Sequence, residues 1–174
     1  MSDDPRLDVQ YCPQCGGTEF ERRIPKRDDH ERLCCTQCGW VHYVGPALAA
    51  AAILENEGRI CLVRRAWEPG KGLWTFPGGF VDLEENPVEA ARREVEEETG
   101  YVAEIGDLLG CYRSMGPKGK RVVVVVYSAR LVGEKGTASE EVEKVAWFPR
   151  DEIPWDAFAF PTGADALRRY LDSS

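Results

Sequence analysis

The sequence predicts an α/β or α+β domain of mixed strands around two helices, preceded by a small metal-held ribbon. Three observations carry this. Apolar runs at 47–54, 59–65, 122–129 and 145–148 have the length and composition of strands. Two stretches, 87–99 and 161–171, read as helices. Four N-terminal cysteines form two Cys-x2-Cys pairs, Cys12/Cys15 and Cys35/Cys38, separated by 19 residues.

In chain order, residues 1–10 read as a disordered acidic tail. Residues 11–45 read as the ribbon: strands at 18–24, 31–34 and 41–44, with a charged turn at 25–29. Each cysteine pair is followed by glycine (Gly16, Gly39), so the backbone can turn under a metal ion. Four thiolates at this spacing suit tetrahedral Zn²⁺. A disulfide pairing is the alternative. Cys34 is a competing ligand beside Cys35, and His30 and His42 read as surface or satisfied histidines. Cys61 and Cys111 lie in strand-like runs and read as small core residues. A piece this short has little core of its own, so the metal would supply its folding energy.

Gly45-Pro46 marks the boundary to the main domain, residues 46–174. Residues 47–54 and 59–65 flank the turn Glu55-Asn56-Glu57-Gly58 and predict a hairpin. Residues 70–72 form a loop. Helix 87–99 has Asn86 as N-cap, Pro87 at its first position, Glu89 completing a capping box and Gly100 as its stop. Strands follow at 101–109 and 111–114, then a basic loop, Gly116–Lys120. The five consecutive valines of 122–126 predict a central strand, buried on both faces. A strand at 145–148, a turn at 151–154 and helix 161–171 close the chain.

The composition is that of an ordinary globular protein: 174 residues, 43% hydrophobic and 30% charged. The longest apolar runs are too short to span a membrane, and the polar N-terminus does not resemble a signal peptide. The cytoplasm is the expected location. A net charge of -8 argues against broad binding to nucleic acid or anionic membrane. Residues 1–46 carry eight acids and six bases, so the ribbon is not a basic surface either.

The charge is concentrated in Gly79–Tyr101, which holds eight acidic residues against Arg92 and Arg93. At about 100° per residue, Glu94, Glu97 and Glu98 share one narrow helix face. Val88, Ala91 and Val95 share the adjacent face and pack inward. Glu89, Arg92 and Glu96 point away. Either the acids are a solvated face, or the three carboxylates beside the apolar stripe hold a hard divalent cation.

The pattern Gly79-x5-Glu85-x7-Arg93-Glu94-Val95-Glu96-Glu97-Glu98-Thr99-Gly100 resembles the signature of the Nudix hydrolases. Tyr101 departs from it, at a packing position that is usually aliphatic. The preceding Leu73-Trp74-Thr75-Phe76-Pro77-Gly78-Gly79 is similar to the run that often leads into that signature. The resemblance implies an α/β/α sandwich and hydrolysis of a nucleoside diphosphate linked to another moiety. It implies Glu94, Glu97 and Glu98 as Mg²⁺ or Mn²⁺ ligands, with the role of base for the attacking water open to one of the three. The carbonyl of Gly78 or Gly79 would add a ligand, and Glu141, rather than Glu140, a further one from the loop before the last strand. Glu85 and Arg93 would form an ion pair tying the loop to the helix. Arg64 and Arg65 are candidate phosphate contacts, with Lys118, Lys120 and Arg121 behind them. Trp67, Trp74, Tyr112, Trp155, Phe158 and Phe160 are candidate stacking surfaces or core.

A ribbon ahead of such a domain is found in two groups. The NADH pyrophosphatases carry a Ser-Gln-Pro-Trp-Pro-Phe-Pro array that is absent here. The other group, similar to ADP-ribose and FAD pyrophosphatases, has an ending like DEIPWDAFAF at 151–160. ADP-ribose or FAD is therefore the expected substrate, with NADH or NAD-cap removal as the alternative. A non-catalytic nucleotide sensor or ribbon binding module is the alternative of another class. A small-molecule nucleotide partner is expected, no membrane or nucleic acid, and a homodimer is kept open.

Overall fold

The computed structural model describes residues 9–116 and 119–173. Most of the predicted N-terminal tail, and Lys118, lie outside the described residues. Two compact units meet at the Pro46–Ala47 bond.

The first unit is a three-stranded antiparallel sheet of β1 (Phe20–Arg23), β2 (Arg32–Cys35) and β3 (Val41–His42), with β2 in the middle. Among its described residues the buried apolar side chains are Cys12, Cys34, Cys35 and Pro25. That is too little apolar area to hold a sheet.

The second unit is built on a mixed sheet of order β10-β5-β4-β9-β8. Strands β4 (Ala47–Asn56) and β5 (Arg59–Arg65) form the expected hairpin, turning at Glu57 and Gly58, both with positive φ. The two strands pair only beside the turn, Glu55 with Ile60 and Asn56 with Arg59. Further along, β6 (Trp74–Thr75) pairs with β5, and β7 (Gly78–Phe80) pairs with β4. Strand β9 (Arg121–Glu134) runs parallel to β4, the one parallel pairing in the sheet described. Val122, Val125 and Val126 are buried there, Val123 and Val124 half-buried.

Strand β8 (Tyr101–Met115) is one continuous strand, not the two predicted. Register shifts at 102/103, 105/108 and 108/110 absorb the break that the sequence suggested at Gly110. Strand β8 edges the sheet, so Cys111 is exposed rather than core, whereas Cys61 on central β5 is fully buried. Strand β10 (Val142–Pro149) forms the other edge.

Alternation along β4 creates two cores. Ala50, Ala52 and Leu54 face α1 (Pro87–Thr99) and pack with its Ala90, Ala91 and Val95. Ala51 and Ile53 face the opposite way and join Ile60, Leu62, Phe76 and Val126 against Ala166 and Leu167 of α2 (Pro161–Ser173). One helix on each face makes this an α/β/α sandwich. Among the described residues no helix is long and apolar enough to cross a membrane.

Candidate active site and metal centres

In the ribbon, the ligand atoms of Cys12, Cys15, Cys35 and Cys38 all lie within 4.8 Å of one another. The Cys12–Cys38 and Cys15–Cys35 sulfur pairs are each 3.6 Å apart. Tetrahedral thiolates on Zn²⁺, at about 2.3 Å each, would sit about 3.8 Å apart, so the set fits the ion. All seven cysteines are free thiols, which disfavours the disulfide alternative. Backbone amides of Cys38 and Gln37 hold the Cys35 thiol down, to about 7. Cys34 is buried outside the set and donates to the Arg32 carbonyl. His30 lies against Asp28 and Asp29, and His42 packs on Trp40.

The main domain has a cleft of about 590 Å³. Helix α1 supplies one wall because its start and stop are fixed locally. The Asn86 side chain accepts from Val88 and Glu89, Glu89 closes the capping box, and Gly100 ends the helix in the left-handed region at φ 74°. Gly100 has a second constraint: a Cβ there would lie 2.8 Å from the Gly136 carbonyl carbon.

Burial separates the three helix-face glutamates. Glu94 and Glu98 are buried and line the cleft, whereas Glu97 is exposed beside it. Glu98 accepts from the Gly78 amide at 2.9 Å. Glu94 lies flat against Gly79, where a Cβ would come within 2.6 Å of its Cδ. Only glycine lets the β7 backbone approach the carboxylate this closely. Burial raises both acids: Glu94 above the usual carboxylate range and Glu98 to about 7. The Glu94 and Glu141 charges push Glu98 in the same direction. Glu96, expected to be free in solvent, is half-buried and paired with Lys135 at 2.6 Å.

Arg93 organises the acids. Its guanidinium grips Glu85 through two nitrogens, at 2.6 and 3.1 Å. Its Nη1 donates to Glu94 at 2.7 Å and Glu97 at 3.0 Å, and its Nη2 to the Phe80 carbonyl at 3.0 Å. Glu85 is pulled below the usual range by Arg93. The sequence pointed to the Glu85–Arg93 pair; the reach of Arg93 to Glu94, Glu97 and β7 needs the folded geometry.

The loop before β10 brings another acid. Lys135 and Gly136 amides donate to the Gly100 carbonyl, and the Ser139 amide donates to the Glu97 carbonyl at 2.8 Å. This stapling of the loop to the end of α1 sets Glu141 on the cleft wall, while Glu140 does not line it. Sequence spacing contained no sign of the staple.

The two candidate arginines diverge. Arg65 lines the cleft, with Nε donating to Pro69 at 2.7 Å and its guanidinium over the Phe160 ring. Arg64 does not line it. Its Nε donates to the Gly72 carbonyl at 3.0 Å and lies 3.4 Å from Glu143. Adjacent strand residues point to opposite faces, so the two cannot share a site. Lys120 sits over the Phe80 ring. Of the aromatic candidates, Trp67, Tyr112 and Phe160 line the cleft; Trp74, Trp155 and Phe158 pack in the α2-side core instead.

Buried carboxylates lining a cleft of this size, on an α/β/α sandwich, are the arrangement that a cation-dependent hydrolase of phosphorus anhydrides requires. Comparison with known proteins places the chain within that class. The family model described as the NUDIX domain matches residues 45–170, and the one described as Nudix N-terminal, a zinc ribbon, matches residues 10–44. The chain belongs to the Nudix hydrolases.

An ADP-ribose pyrophosphatase of Methanocaldococcus jannaschii is 31% identical, over 82% of this chain and 80% of that protein. The crystal structure of a Nudix hydrolase from Nitrosomonas europaea superposes with a TM-score of 0.82 at 35% identity, covering 95% of this chain and 92% of that one. A NAD-capped RNA hydrolase of Macaca fascicularis, NUDT12, is 26% identical over 83% of this chain, which spans 32% of that protein.

Proposed function

We propose that the chain hydrolyses the pyrophosphate bond of ADP-ribose or FAD, giving AMP with ribose 5-phosphate or FMN. The observation that carries this is the likeness to an ADP-ribose pyrophosphatase across both units of the chain. In this reading Glu94, Glu97, Glu98, Glu141 and the Gly79 carbonyl hold Mg²⁺ or Mn²⁺. Two facts support that ligand set: Glu94 and Glu98 are buried carboxylates, and Gly79 is the residue that lets Glu94 reach the β7 backbone. When bound, the cation neutralises the diphosphate, polarises a phosphoryl oxygen and activates water.

The chain's own residues do the positioning. Arg93 keeps Glu94 and Glu97 in place from behind and fixes β7 through the Phe80 carbonyl. Arg65 faces the cleft and offers a fork to phosphate oxygens. Arg64, committed to Gly72 and Glu143, has no substrate role in this account. The ribbon cysteines Cys12, Cys15, Cys35 and Cys38 hold a structural Zn²⁺.

The likeness to the NAD-capped RNA hydrolase favours a second reading, cleavage of NADH or an NAD cap. A panel of ADP-ribose, FAD, NADH, NAD⁺, a dinucleoside polyphosphate and nucleoside triphosphates, with Mg²⁺ and then Mn²⁺, ranks the two by kcat/KM. ADP-ribose or FAD is expected to lead. A tenfold lead for NADH, about 1.4 kcal/mol of transition-state preference, would select the second reading.

A further inference from the structure

Two neighbouring arginines end β5, and both spend their Nε on the loop that follows. Arg65 donates to the Pro69 carbonyl at 2.7 Å. Arg64, on the opposite face of the pleat, donates to the Gly72 carbonyl at 3.0 Å. The near end of this loop, residues 66–73, reaches the cleft acids: the Ala66 amide donates to the Glu141 carbonyl at 2.9 Å. Its far end returns to β5. The Gly72 amide donates to the Arg65 carbonyl at 2.8 Å, and the Arg65 amide to the Leu73 carbonyl at 3.0 Å.

Strand β10 lies alongside β5 with one residue too many. Val142 stands opposite Arg65 and Lys144 opposite Arg64, so Glu143 is the extra residue of a β-bulge. A bulge re-aims its side chain, and here the Glu143 carboxylate comes within 3.4 Å of the Arg64 Nε. The contacts close a ring: Arg64 to Gly72, along the loop to Ala66, across to Glu141, and through Glu143 back to Arg64. Glu141 is the cleft acid in that ring. Glu94 and Glu98 ride on α1, whereas Glu141 comes from the turn just before β10. The bond from the Ser139 amide to the Glu97 carbonyl ties the upstream side of Glu141 to α1. The ring ties the downstream side.

We infer that Arg64 is a positioning residue: by holding the β10 bulge against the 66–73 loop, it sets where Glu141 stands relative to Glu94 and Glu98. It acts from behind the cleft and touches neither cation nor substrate. The inference rests on the reading of Glu141 as a ligand of the catalytic cation. Stability is not what the pair supplies. The Arg64 and Glu143 side chains are 41% and 49% exposed, and an ion pair so well solvated adds little to a fold. What it supplies is a fixed spacing between acids carried by separate elements. A small hard cation demands near-ideal placement of its oxygens, so the partners that orient a ligand govern affinity.

The test is Mn²⁺ binding to the zinc-loaded, substrate-free full chain, followed by the electron paramagnetic resonance of free Mn²⁺, for the wild type, Arg64→Met, Glu143→Gln, Glu141→Gln and the double variant Arg64→Met/Glu141→Gln. Methionine keeps the stem of Arg64 and removes its charge and donors. Arg64→Met is expected to raise the Kd for Mn²⁺ by about tenfold, and Glu143→Gln to raise it less. The melting temperature of the hydrolase domain should move by no more than about 4 °C in either, so a merely structural role would not reproduce the binding loss. Because Arg64 acts through Glu141, adding Arg64→Met to Glu141→Gln should weaken binding no further. An unchanged Kd in Arg64→Met, or a full further loss in the double variant, would overturn the inference. If Glu141→Gln weakens binding and Arg64→Met does not, the positioning role fails and the ligand reading stands. If Glu141→Gln itself binds Mn²⁺ like the wild type, the ligand reading fails and the positioning role falls with it.

Discussion

The ribbon and the hydrolase domain place potential metal ligands in opposite relations to their cores. In the ribbon, ligands and core are nearly the same residues: Cys12 and Cys35 are among the few buried side chains, beside Cys34 and Pro25. In the hydrolase domain, Glu94 and Glu98 sit at the margin of two cores already filled by residues such as Leu54, Val95, Ile53 and Leu167. One metal would hold a fold together; the other would be held by a fold that stands without it. The difference teaches that a cysteine set can be indispensable to folding and indifferent to chemistry, and a glutamate set the reverse.

The largest expected effect comes from removing a ribbon ligand. Structural zinc contributes on the order of 10 kcal/mol to such folds. Cys12→Ser should therefore unfold residues 11–45, seen as loss of their dispersed amide NMR signals and of one Zn²⁺ per chain. The hydrolase domain should keep its own melting transition. A single transition lost along with the zinc would break the comparison.

Next in size is the ion pair behind the acids. Glu85→Gln should lower kcat/KM by about tenfold to a hundredfold, as loss of a ligand's supporting partner commonly does, while the fold persists by circular dichroism.

The pH dependence sharpens the contrast further. Burial raises Glu94 and Glu98, the latter to about 7, in the metal-free protein. A raised carboxyl contributes stability in its protonated form. That contribution is complete below the ordinary glutamate value and is lost as pH rises through 7. Melting temperature without Mg²⁺ should therefore drift down from pH 5 to 8 through these groups, and the stabilisation given by added Mg²⁺ should grow over the same range. A Mg²⁺ effect constant with pH would contradict it.

The smallest effect concerns Tyr101, the residue that departs from the family pattern. Its hydroxyl accepts the Trp147 indole N–H at 3.1 Å, tying the end of α1 to β10. Tyr101→Phe should cost about 1 kcal/mol, or about 2–4 °C in the melting temperature of this domain, without changing KM.

What could be read in the sequence was what short-range chemistry fixes. The caps of α1 are set by Asn86, Glu89 and Gly100, all within or beside the helix, and its predicted bounds match those observed. The 47–65 hairpin is equally local. The parallel pairing of β4 with β9 joins residues such as Ala47 and Val122, far apart in the chain, and no local pattern announces it. The same limit explains where the structure differs from the local pattern. Cys111 looked like core because its neighbours are apolar, yet β8 is an edge strand. Glu97 looked equivalent to Glu94 and Glu98 by helical angle, but β7 covers those two and leaves it exposed. Arg64 and Arg65 looked alike until the pleat sent only Arg65 into the cleft.

The central claim is that the buried helix face, not acidity as such, performs the chemistry. The most direct measurement is kcat/KM at saturating Mg²⁺, on the best substrate of the panel, for the wild type, Glu98→Gln and Glu96→Gln. Both variants lose one charge from the same helix at constant volume. Loss of a metal-holding carboxylate removes several kcal/mol of transition-state stabilisation, so Glu98→Gln should fall by on the order of 10³-fold. Glu96→Gln, which gives up only its pairing with exposed Lys135, should stay within about twofold. Equal losses in the two variants, or a Glu98→Gln enzyme that still turns over at the wild-type rate, would contradict the account.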